Sequence, residues 1–157
     1  MNDIKISFEK LYYENYEKED SDVFVVDKFP EIVASEKYFD FEEDILLANK
    51  FNILDDSVKA LCKLYLYEEN VFILDDIETM KYSKYSKSPL AFSEEVLSFL
   101  MSSESKQMSL IFADLKLGIL IGNGYFTYMS FESDRLPLVK QLCKSEGLFI
   151  RHKGKLV

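Results

Sequence analysis

The sequence predicts an α+β fold: one domain with a mixed or mostly antiparallel sheet, a C-terminal β-hairpin and about four covering helices. Three observations carry this. The dipeptide Asn123-Gly124 separates two β-rich runs, Leu117-Gly118-Ile119-Leu120-Ile121 and Tyr125-Phe126-Thr127-Tyr128-Met129, and is the strongest short-range hairpin signal a sequence offers. Short unbroken runs such as Val23-Phe24-Val25-Val26, Val71-Phe72-Ile73-Leu74 and Leu110-Ile111-Phe112-Ala113 have the composition of buried strands. Stretches with helical spacing fall irregularly between these runs, which argues against a regular βαβ series.

In chain order, Ile4, Ile6 and Phe8 alternate with Lys5 and Ser7, which predicts a strand at 3–8, whereas Leu11, Tyr12, Tyr13 and Tyr16 fit a helical flank. The segment 4–17 reads either way. A charged turn at 17–22 leads into the strand 23–26, which Phe29-Pro30 stops because proline cannot donate to a ladder. Asp40 is placed to cap a helix with Glu42, Glu43 and Asp44 in its first turn, where acids complement the helix dipole. Asp55 or Asp56 is placed to cap the next, with Val58, Leu61, Cys62 and Tyr65 on one stripe. The short link Asn52-Ile53-Leu54 makes these two an antiparallel pair. Asp75-Asp76 closes the strand at 71–74.

Residues 81–89 contain no aliphatic side chain and read as an exposed loop, the one place for a sub-boundary within a single domain spanning 1–157. Ser88 before Pro89, or Ser93 before Glu94-Glu95, starts a helix carrying Phe92, Val96, Phe99 and Leu100. A polar loop at 102–106 precedes the strand 110–113. A two-residue type I′ turn at Asn123-Gly124 pairs Ile121 with Phe126 and Ile119 with Tyr128, which places Leu120, Met129 and Phe131 on the second face. A helix over 134–145, capped by Ser133 or Asp134, is the expected cover for that face, the alternative being an apolar patch for a partner. Gly147 suits a left-handed C-terminal cap, and Leu148-Phe149-Ile150 forms a last strand before a basic tail.

With 157 residues and 48% hydrophobic content, the chain is long enough to bury about two thirds of its unfolded surface. No apolar run approaches the ~20 residues of a membrane helix, and the N-terminus lacks a basic-then-apolar leader, so the chain is expected to be cytoplasmic. Cys62 and Cys143 then read as reduced thiols. Charge is uneven: residues 1–80 hold 21 acids and 8 bases, a net of −13, and residues 81–157 hold 7 acids and 11 bases, a net of +4. Such an excess repels phosphate backbones, so direct nucleic-acid binding is not expected, and a basic protein is the complementary partner.

Catalytic chemistry finds little footing. His152 is the one histidine and stands in the charged tail, without the frame of a nucleophilic triad. Gly122-Asn123-Gly124 lies between strands and lacks the Lys-Ser/Thr of a phosphate loop. Asp55-Asp56 is explained as a helix start. Asp75-Asp76 with Glu78 lacks the glycine-containing spacing of a calcium loop. No metal or cofactor is expected. What remains is a negative surface built from Asp75, Asp76, Glu78, Glu42, Glu43 and Asp44, flanked by Tyr82 and Tyr85 as interface anchors.

The opening Ile4-Lys5-Ile6-Ser7-Phe8-Glu9-Lys10-Leu11 and the closing strand–hairpin–helix–strand that ends in Gly147-Leu148-Phe149-Ile150 resemble immunity proteins of bacterial contact-dependent growth inhibition and related polymorphic toxin systems. The resemblance is spread over the chain and carries over no functional residue. It implies a non-enzymatic inhibitor that covers the active site of a cognate toxin domain, often a nuclease. A basic nuclease would suit the acidic half. A generic cytoplasmic protein-binding or scaffold module is the alternative, and a small or metal-dependent enzyme a third reading.

Overall fold

β-Branched and aromatic runs pair edge to edge in the computed structural model, which describes residues 23–46, 48, 54–76, 78–101, 107–122 and 127–157. The strands are β1 (Phe24–Asp27), β2 (Val71–Asp76), β3 (Lys81–Tyr85), β4 (Gln107–Phe112), β5 (Leu117–Gly122), β6 (Thr127–Ser130), β7 (Phe149–His152) and β8 (Lys155–Leu156). They form one eight-stranded sheet in the order β3-β2-β4-β5-β6-β1-β7-β8, and each neighbouring pair is antiparallel. Among the described residues four α-helices accompany it: α1 (Ser35–Phe41), α2 (Leu54–Leu66), α3 (Pro89–Leu100) and α4 (Leu136–Ser145). The architecture is α+β, and among the described residues the sheet is antiparallel throughout.

One face of the sheet holds the core. Leu61 and Leu64 of α2, Phe92, Val96 and Leu100 of α3, and Val139 and Cys143 of α4 pack with Val26, Leu110, Phe112, Ile119 and Ile150 of the strands. Phe92, Val96 and Leu100 recur at helical spacing and are 0% exposed, so each contributes about 1.5–3 kcal/mol of transfer free energy. Ser88 caps α3, its Oγ accepting the Ala91 N–H at 3.2 Å, and Pro89 occupies the first turn, where no N–H is needed. Gly147 takes φ +67° after α4. The Leu148 N–H reaches the Cys143 carbonyl at 2.8 Å and the Gly147 N–H reaches that of Lys144 at 3.2 Å. This Schellman pattern satisfies carbonyls that the helix end would leave open.

The hairpin forms, but its register differs by one residue. Ile121 pairs with Thr127, Leu120 with Tyr128, Ile119 with Met129 and Gly118 with Ser130. Five residues therefore separate Ile121 from Thr127, where a two-residue turn needs four between Ile121 and Phe126; Asn123 and Gly124 lie outside the described residues. A one-residue slip exchanges the two faces of a strand. Met129 thus joins the core beside Ile119, and Tyr128 turns to the other face, against Val23 and Leu120. The expected cover of that second face by the 134–145 helix is corrected too, since α4 packs on the first face.

Other boundaries move for local reasons. Asp40 lies inside α1, whose capping position is Ala34 with no side-chain cap bond, and Glu42, Glu43 and Asp44 belong to a π-helical turn, Glu42–Leu46. Asp55 and Asp56 fall in the first turn of α2, not before it. Residues 81–85 form strand β3, paired along β2 with a bulge between Leu74 and Asp76. The loop reading failed there because lysine, serine and tyrosine lack the aliphatic run of a central strand, whereas an edge strand needs none. A 3₁₀ turn, Ser133–Arg135, precedes α4 in place of a Ser133 or Asp134 cap. The expected strand at 3–8 and the polar loop at 102–106 lie outside the described residues.

Candidate partner-binding surface

The β2–β3 hairpin assembles five of the eight residues that the sequence marked. Asp75 is exposed near the end of β2, and its Oδ1 accepts from the Ser83 hydroxyl at 3.3 Å. Asp76 caps the connecting turn: Oδ2 accepts from the Thr79 hydroxyl at 2.7 Å and Oδ1 from the Glu78 N–H at 2.9 Å. These two hydrogen bonds, the Thr79 one first, hold its carboxyl below the usual aspartate value. Glu78 is exposed within the turn, and Met80 closes it at φ 51°. Asp75 and Glu78 are therefore free to face a partner in a way that Asp76, committed to the turn, is not.

Both tyrosines have structural work. Tyr82 is half-buried, its ring edge-on to Phe72 with centroids 5.8 Å apart. Tyr85 is 5% exposed, so its reading as an exposed interface anchor is corrected. Its ring sits in an aromatic cluster with Tyr65 and Phe92, which are stacked at 4.2 Å. The Tyr85 hydroxyl donates to Glu95 Oε2 at 2.7 Å, and Lys87 Nζ donates to the same oxygen at 2.8 Å. Burial first, then the Glu95 carboxylate, pushes the Tyr85 phenol well above its ordinary value. Burial alone would raise Glu95, but the Lys87 and Tyr85 hydrogen bonds outweigh it and hold the carboxyl down.

The remaining three acids stand elsewhere. Glu43 and Asp44 are exposed and Glu42 is half-buried in the π-helical turn after α1. That segment sits beside β1, because Phe29 meets Tyr38 and Phe41 edge-on at 6.1 and 5.3 Å. Strands β4, β5 and β6 separate β1 from β2, a span of roughly 19 Å at about 4.8 Å per strand. The acids thus make two patches, not one. The hairpin patch is also mixed in charge: Lys81 pairs in register with Asp76, Lys84 pairs with Phe72, and Lys87 lies just beyond the strand.

Apolar exposure, which charge reasoning did not reach, is highest among the described residues where α2 ends and α3 begins. Leu66, Tyr67 and Leu90 are 68%, 71% and 69% exposed. Tyr65 of α2 donates its hydroxyl to the Lys87 carbonyl at 2.5 Å just before α3, which ties these helix ends together. Leu66 and Leu90 each lie two residues from the buried stripe, at Leu64 and Phe92, so helical periodicity was the available signal that they face outward. Among the described residues, no group of three His, Cys, Asp or Glu side chains is placed to hold a metal, and no helix is long and apolar enough to cross a membrane. No protein-family model matches the chain, and no curated protein or solved structure is significantly similar to it.

Proposed function

We propose that this chain is a non-enzymatic bacterial immunity protein that binds a basic toxin domain, a nuclease by preference, in the cytoplasm. The observation that carries the reading is the charge division, −13 over residues 1–80 against +4 over the rest, combined with the exposure of Asp75 and Glu78 at one hairpin end and Glu43 and Asp44 beside β1. Carboxylates presented apart in this way engage lysines and arginines that otherwise contact phosphate, and they speed encounter at low salt. Asp75→Lys with Glu78→Lys tests the hairpin patch; Asp76 stays unchanged because it holds the turn. Lost protection against a co-expressed candidate toxin domain, with the circular dichroism unaltered, is expected. Full protection by the charge-reversed variant removes the acidic-surface reading.

A second reading, a protein-binding or scaffold module without a toxin partner, is favoured by the exposed Leu66, Tyr67 and Leu90 at the α2–α3 end. Retained toxin sensitivity in cells co-expressing the protein, together with loss of a partner on Leu66→Asp, would select it.

A further inference from the structure

Leu120 stands on the sheet face turned away from the helices. It pairs with Ser109 of β4 and Tyr128 of β6, Tyr128 pairs with Val25 of β1, and Gly118 pairs with Ile111 and Ser130. Paired residues share a face, so all of these belong to the second one. Helices α2, α3 and α4 pack on the first, with Leu110, Ile119 and Ile150. Even so, Val25, Ser109, Ile111 and Leu120 are 3% exposed or less. Among the described residues the apolar cluster around Leu120 extends to Val23 and Tyr128, both in or beside the same sheet layer. Neighbours within one layer do not shield its face from water, so this burial calls for a second layer on that side. Ser109 Oγ is sealed from solvent with no hydrogen-bond partner, as under an apolar cover.

Chain length and attachment select the occupant. The stretches 49–53, 102–106 and 123–126 lie outside the described residues but are short and held at both ends. The last two meet the sheet at Gln107, Gly122 and Thr127, whereas Ile111 lies about 13 Å further along β4. The stretch 49–53 leads into α2, on the first face. Residues 1–22 run directly into Val23, which is already on the second face. Extended, 3–16 would reach roughly 46 Å, against roughly 14 Å from β1 across β6 and β5 to β4. Ile4, Ile6 and Phe8 alternate with Lys5 and Ser7, and Leu11, Tyr12, Tyr13 and Tyr16 follow, so this stretch has the apolar side chains the face requires. We propose that residues 3–16 lie across the second face of β1, β6, β5 and β4 as a strap, their apolar side chains on Val25, Leu120 and Ile111. The small residues Ser109, Gly118 and Ser130 beside Leu120 leave room for an aromatic ring. Glu17-Lys18-Glu19-Asp20-Ser21-Asp22, too polar for that face, supplies the reversal into β1.

The test is methyl NMR on the full chain, with a soluble paramagnetic agent as the probe of exposure and a mixture of differently labelled copies to separate contacts within a chain from contacts between chains. Nuclear Overhauser effects from the Val25, Ile111 and Leu120 methyls to side chains of residues 3–16 of the same chain are expected, with those methyls untouched by the agent. Contacts only between chains would assign the face to a second copy, and methyls broadened by the agent would leave it open to an outside partner. Either overturns the strap, as does the absence of contacts to 3–16. Leu120→Ser removes the central contact without altering the segment itself. Protease cleavage within 3–16 should then speed roughly 10- to 100-fold, the effect of one lost leucine contact on opening; unchanged cleavage in the folded variant contradicts the proposal. The wild-type spectra decide even if the variant fails to fold.

Discussion

Arg151 on β7 grips both carboxylate oxygens of Asp27 on β1, Nη1 at 2.7 Å from Oδ1 and Nη2 at 3.0 Å from Oδ2, with side chains 3% and 5% exposed. The same guanidinium donates to the Phe29 carbonyl at 2.7 Å, and Asp27 Oδ1 accepts the Phe29 N–H at 2.8 Å. A forked pair of this kind fixes where β1 ends and where β7 lies against it. Removing one partner strands a buried charge. Asp27→Ala is expected to destabilise by about 3–5 kcal/mol in urea denaturation, and Asp27→Leu with Arg151→Met by less than either single change.

The shifted register gives Met129 the core position and Tyr128 the other face. Met129→Ala should cost about 2–5 kcal/mol, as a buried side chain with no room to collapse does. The same denaturation series on Tyr128→Phe, which keeps the ring, should show less than about 1.5 kcal/mol.

Tyr85, Glu95 and Lys87 supply a pH-dependent contribution. Glu95 is held below its ordinary 4.5 by net hydrogen bonding, so its stabilisation is present above that value and lost as pH falls through the lower folded one. A double-mutant cycle on Tyr85→Phe and Glu95→Gln should give a coupling of about 1.5–3 kcal/mol at neutral pH, as for a hydrogen bond to a charged group. The coupling should shrink toward zero in acid.

Burial pushes the Cys143 thiol up to about 12 and raises that of Cys62, which is half-buried. Iodoacetamide at pH 8 should therefore label Cys62 before Cys143 in the folded protein, and both alike after denaturation, since the thiolate is the reactive form. Mass spectrometry of tryptic peptides reads the order.

Much of this fold is legible residue by residue. Val23-Phe24-Val25-Val26 announces a strand because buried strands need apolar side chains on both faces; Val71-Phe72-Ile73-Leu74 also forms one, but only Val71 of it is buried, because β2 lies one strand in from the sheet edge. Ser88-Pro89 and Gly147 mark helix ends because each satisfies a specific backbone need. What stayed hidden depends on tertiary pairing. The Lys81–Tyr85 edge strand carries no apolar run, and the hairpin register depends on a loop length that Asn-Gly does not dictate alone. Arg151 read as part of a basic tail until its partner, Asp27, came from the far end of the chain. The acidic candidates were visible as residues, but their division into two patches follows from strand order, which puts three strands between β1 and β2, and Tyr85 could not be known as buried from its polar neighbours.

The most direct measurement is survival of cells that express a candidate basic toxin domain together with this protein or with its Asp75→Lys, Glu78→Lys variant. The account expects survival with the wild type, and killing with the variant at equal expression and unchanged thermal stability. Killing in the presence of wild-type protein, or survival with the charge-reversed variant, would contradict it.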